Sequence, residues 1–172
     1  MIEGGMNYAI PVSIHMAVEI LTIIHVIISL VAIASGFVVV AGWLGNPISL
    51  KWTLLFLWTT IATSVSGFLF PFKGFTPAFG FGVISMIVLP LALYALHGRR
   101  LQGRWKNVYR VSALIALYLN TFALVVQLFL KVPFLKAIAP AQTDPPFAIA
   151  QILLLALFLW LGFKSVRGSN PA

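Results

Sequence analysis

The chain has 172 residues, of which 61% are hydrophobic and only 8% charged, and it carries a formal net charge of +8. A soluble domain has about 25% charged residues, so this composition cannot build a water-facing surface, although it suits a lipid-facing one. The chain has no cysteine, which excludes disulfides, thiol catalysis and thiolate metal ligands.

Five apolar runs follow one another with short polar links between them: residues 17–40, 52–70, 79–96, 111–130 and 147–163. Each has roughly the 20-residue length of a spanning helix. None alternates with period two as a barrel strand does. The expected fold class is an all-α integral membrane protein, a five-transmembrane-helix bundle forming one membrane domain over residues 1–172. Residues 1–16 lack a basic leader region and a cleavage pattern, and read as an uncleaved terminus.

Breakers punctuate the runs. Gly42, Gly45 and Pro47 follow the first; Pro71, Gly74 and Pro77 follow the second; Gly98 and Gly103 follow the third. Pro90 lies inside the third run and should kink it. Residues 131–146 contain Pro133, Pro140, Pro145 and Pro146, and within them residues 134–138 could lie flat in the interface. No internal repeat is present, so an inverted-repeat transporter core is not supported.

Sidedness follows from the cations. Residues 97–110 hold Arg99, Arg100, Arg104, Lys106 and Arg110 with no acid, and Lys51, Lys164 and Arg167 fall on the same side of the predicted threading. The positive-inside bias makes that side cytoplasmic, which puts the N-terminus outside and the C-terminus inside. Trp43, Trp52, Trp105 and Tyr109 sit at the same ends, as interfacial anchors do. The basic excess is therefore a topology signal and not a sign of nucleic-acid binding. A bacterial inner (plasma) membrane is the expected location.

Polar residues inside the runs are the functional candidates, because burying them in hydrocarbon is costly. His25, Ser29, Ala32 and Gly36 share one helical face in the first run, and Ala113, Ala116, Asn120 and Gln127 share one in the fourth. Gly80 and Gly82 suggest close helix packing. The threading places Glu19, His25, Asn120, Gln127 and Gln151 towards the outer half, with Asp144 and Lys73 in the outer links. These seven residues are expected to form or border an outward-facing polar pocket. Its head-binding groups and apolar walls would suit an amphipathic small molecule such as a quinone or a lipid. The alternative is that amides and hydroxyls act as interhelical glue, in an accessory subunit of a larger membrane complex or a homo-oligomer. Haem b is a third reading, but His25 and His97 lie at opposite depths, leaving only a His25–Met86 pair. No catalytic motif, phosphate-binding loop or clustered metal-ligand set is present. A polar ladder that fades beyond Asn120 makes translocation by one copy doubtful.

Overall fold

The computed structural model describes residues 12–45, 50–70 and 77–167, which form helices and their links with no strand among them. Helix α1 (Val12–Leu44) is 33 residues long and outruns the predicted segment at both ends. The reason is local. Residues 41–44 are still apolar and no proline interrupts before Pro47, while His15 and Glu19, four apart, sit on an exposed helix surface without penalty. Helix α2 (Leu50–Phe68) has 19 residues. Helix α3 (Pro77–Leu93) starts on a proline, whose missing N–H costs nothing in a first turn, and carries Pro90 within it.

Just beyond Pro90 the ladder widens into one π turn, Tyr94–Gly98. It closes with the Arg99 N–H donating to the Tyr94 carbonyl and the Leu101 N–H to the Ala95 carbonyl, each at 3.0 Å. The chain then reverses through left-handed backbone at Arg100, Leu101 and Gly103, with φ of 48°, 56° and 53°. Helix α4 (Trp105–Lys131) has 27 residues. The short α5 (Pro133–Ile138) follows in the anticipated stretch, with Phe134 72% exposed. Helix α6 (Pro145–Arg167) completes the chain.

Helix α4 is the hub, packing on α1, α2, α3 and α6, while α1 lies mainly against α2. Small residues permit the closest approaches. At Gly36 an added Cβ would lie 2.6 Å from Leu117 Cδ1 and 2.9 Å from two atoms of the Phe56 ring. At Gly82 it would lie 2.8 Å from the Phe68 ring, whereas at Gly80 it would meet nothing within 4 Å. Gly82 therefore packs closely as expected and Gly80 does not.

The outward surface is apolar almost everywhere, from Ile23 and Ile27 on α1 to Leu153, Leu159 and Phe163 on α6. Such a surface requires lipid around it. Four helical stretches are long and apolar enough to cross a bilayer: Ile14–Leu44, Phe79–Gly98, Trp105–Lys131 and Pro145–Arg167. The protein is thus a helical membrane protein. Helix α2 is less apolar because of its hydroxyls, and several of these are satisfied within the helix. Thr59 donates to the Leu55 carbonyl at 2.6 Å, Thr60 to the Phe56 carbonyl at 2.7 Å and Ser64 to the Thr60 carbonyl at 3.0 Å.

Candidate functional site

The bundle has a basic end, where α1 finishes, α2 starts, α3 turns into α4 and α6 finishes. The opposite end holds the start of α1, the end of α2 and the α4–α6 connection. The polar features of the two ends differ in kind.

At the opposite end, polar side chains lie between helices and bond to one another. His25 Nδ1 lies 2.8 Å from Ser66 Oγ, and the Phe70 ring packs edge-on against the imidazole at 5.3 Å. One turn further along α1, Ser29 donates to the His25 carbonyl at 2.6 Å and approaches Thr63 Oγ1 at 3.5 Å. The predicted small stripe, His25, Ser29, Ala32 and Gly36, is therefore the α1–α2 contact face. Towards the basic end this seam is shut by Phe56, Leu57 and Leu117, which are 1%, 0% and 0% exposed. Among the described residues, these apolar side chains interrupt the run of hydroxyls along the seam.

At the basic end the helices separate around a cavity of about 870 Å³. Every long helix or its adjoining link contributes. Gly42, Trp43, Leu44 and Gly45 come from the end of α1, Leu50 and Thr53 from α2, and Leu96 and Leu101 from the π turn and the link. Helix α4 brings Lys106, Tyr109 and Arg110, and α6 brings Lys164 and Arg167. The size falls within the roughly 300–1,000 Å³ of small-molecule pockets.

The local geometry explains the opening. Gly42 and Gly45 contribute no side chain to fill it, and an added Cβ at Gly45 would meet nothing within 4 Å. Trp43 braces one wall, edge-to-face on Tyr109 at 5.9 Å, with the Arg110 guanidinium 6.0 Å from the Trp43 ring centre. Arg110 is only 8% exposed and donates from Nη1 to the Ser165 backbone carbonyl on α6. Tyr109 is buried, its hydroxyl beside Thr53 but short of full hydrogen-bond geometry. The remaining cations are exposed around the opening, two of them lying against rings: Lys164 Nζ is 4.9 Å from the Trp160 ring and the Arg167 guanidinium 3.9 Å from that of Phe163.

No protein-family model, curated protein or solved structure matches the chain.

The residues chosen from sequence are spread over several contacts. His25 joins α1 to α2 as described. Gln151 is 9% exposed and joins α6 to α4, its Nε2 donating to the Phe122 carbonyl at 3.4 Å. Asn120 is half-buried on α4, one turn from Leu117 on the face that meets α1 and α2. Asn120 Nδ2 and Gln151 Oε1 are buried without a hydrogen-bond partner among the described residues. Glu19 and Gln127 are exposed. Asp144 works locally: its carboxylate accepts the Ala141 N–H at 2.7 Å, and its carbonyl accepts the Ala148 N–H at 3.1 Å at the start of α6. Lys73 lies outside the described residues.

Haem ligation by His25 and Met86 does not fit this arrangement. Met86 is 50% exposed on α3, a helix packed chiefly against α2 and α4, whereas His25 lies in the α1–α2 contact. Among the described residues, no group of three or more His, Asp or Glu is placed to hold a metal ion.

Reading the sequence by depth missed the cavity, because it took the cations only as a sidedness signal. A usable signal was present. Lys106 and Arg110 are four apart on one helix, Lys164 and Arg167 are three apart on another, and both pairs fall at one end.

Proposed function

We propose that this protein is a five-span bundle that binds an amphipathic small molecule in the cavity at its basic end, and that this end is cytoplasmic. The observation that carries the reading is the cavity itself, about 870 Å³ with apolar walls and a basic rim. Such a surface fits a ligand with an apolar body and a polar or anionic head. The positive-inside bias supports a cytoplasmic basic end. The internally satisfied hydroxyls of α2 support its role as the fifth span, since its 19 residues cover about 28 Å at 1.5 Å per residue. A bacterial inner membrane is the setting that this threading suits.

The test is native mass spectrometry of protein extracted in mild detergent, wild type against Gly45→Trp. The indole would enter open space at the cavity and leave the helix contacts alone. A co-purified amphiphile on the wild type, lost in Gly45→Trp with an unchanged circular dichroism spectrum, is the expected result. Equal retention in both overturns the reading.

A second reading keeps the ligand in the outer half, where a quinone carbonyl or hydroxyl would meet the amides. The unpartnered Asn120 Nδ2 and Gln151 Oε1 favour it, since an unmet buried polar atom costs roughly 1–3 kcal/mol. The engagement of His25 by Ser66 and the exposure of Glu19 and Gln127 weigh against it.

A further inference from the structure

The chemistry of the basic cavity is specific enough to name its ligand class. Resting on the reading of that cavity as an amphiphile site, we propose that its occupant is an anionic phospholipid of the adjacent leaflet, with its phosphate held by Arg110 and by the cations at the opening.

Arg110 is the anchor. Its carbonyl contact on α6 and the Trp43 ring fix the guanidinium in a wall of the cavity. A fixed guanidinium presents a planar fork of N–H donors, which matches phosphate oxygens far better than a mobile ammonium does. Lys106 lies one turn earlier on the same helix and faces the same space, while Lys164 and Arg167 approach it from the end of α6. The charge there is of one sign. The two acidic residues among those described, Glu19 and Asp144, both belong to the other end of the bundle.

The remaining lining suits the rest of a phospholipid. Tyr109 adds a buried hydroxyl that can donate to a phosphate or glycerol oxygen. Leu44, Leu50, Leu96 and Leu101 supply apolar wall for the glycerol backbone and the first methylenes. A neutral quinone head would use none of the four cations. Basic pockets between helices at the cytoplasmic side are the general form of anionic headgroup sites.

The experiment is a native mass spectrometry titration of the full chain with phosphatidylglycerol and phosphatidylcholine of identical acyl chains, and separately with inorganic phosphate. Each cation near an anionic headgroup contributes roughly fivefold in affinity. Wild type should therefore favour phosphatidylglycerol by about tenfold or more. The combined variant Lys106→Gln/Lys164→Gln/Arg167→Gln, which changes only exposed side chains and keeps Arg110, should cut that preference to about fivefold. Arg110→Gln should lower the preference by about fivefold; should that variant fail to fold because its α4–α6 tie is lost, the triple variant decides. Equal binding of both lipids by wild type, with each still displaced by Gly45→Trp, overturns the proposal of an anionic occupant and leaves the amphiphile reading standing. Binding of neither lipid overturns both. Inorganic phosphate binding as tightly as phosphatidylglycerol assigns the site to a soluble phosphate and overturns the lipid.

Discussion

Gly36→Ala is a stringent test of the packing that holds the bundle together. The new methyl carbon would lie 2.6 Å from Leu117 Cδ1 and 2.9 Å from two Phe56 ring atoms, where carbon atoms normally sit about 3.5–4.0 Å apart. Relief requires a shift of roughly 1 Å on the Leu117 side. Neither neighbour has room, since Leu117 is 0% and Phe56 1% exposed and both belong to the central cluster. Overpacking of this kind costs about 1–3 kcal/mol, and the better helix propensity of alanine returns at most about 1 kcal/mol. A net loss of about 1–2 kcal/mol follows. The assay is reversible unfolding in mixed detergent micelles, followed by tryptophan fluorescence. Gly80→Ala is the control, because a Cβ there meets nothing within 4 Å and should leave stability unchanged or slightly raised. Shortening the obstructing side chain with Leu117→Val should recover part of the loss in the Gly36→Ala background. Equal stability of Gly36→Ala and Gly80→Ala would refute the α1–α2–α4 contact described above.

The His25–Ser66 bond should behave as interhelical glue. A double-mutant cycle with His25→Ala and Ser66→Ala should give a coupling of about 0.6 kcal/mol, and a value above about 2 kcal/mol would show that the pair does more than join helices. Arg100 holds a left-handed conformation at φ 48°, which costs an L-residue with a side chain roughly 1–2 kcal/mol. Arg100→Gly should therefore raise the thermal midpoint by a few degrees, and an unchanged or lower midpoint would contradict the strain argument. The lack of cysteine makes sidedness directly measurable with single substitutions at the exposed Gln102 and Gln142. An impermeant maleimide should label Gln142→Cys on intact cells and Gln102→Cys only after permeabilisation, and the reverse pattern would invert the topology.

Much of the helical architecture is legible in the sequence, because hydrocarbon demands long apolar runs and leaves little freedom in where they break. The α1–α2 contact face is legible too, since His25, Ser29, Ala32 and Gly36 recur at helical spacing and small residues let backbones approach. The full length of α1 is not. Hydropathy falls at His15 and Glu19 and at Gly42, but none of these residues stops a helix, so the backbone continues from Val12 to Leu44. The grouping of the polar candidates is only partly legible. Depth along the chain puts Gln151 near the outer end of its run and Asn120 near mid-depth, whereas in the fold Gln151 sits level with Phe122, next to Asn120. Depth does not tell which helix each faces, and Gln151 spends its donor on the Phe122 carbonyl. Asp144 illustrates the same limit, as its carboxylate serves the turn before α6. The cavity depends on how five helix ends splay around Gly42, Gly45 and Trp43, a property of packing that no single segment encodes.

Whether the ligand occupies the basic cavity, as proposed, or the polar seam around His25 is decided by measuring co-purified amphiphile on Gly45→Trp and His25→Ala side by side. Loss from Gly45→Trp with retention on His25→Ala is the predicted result. Retention on Gly45→Trp with loss from His25→Ala would contradict the account and return the site to the outer half.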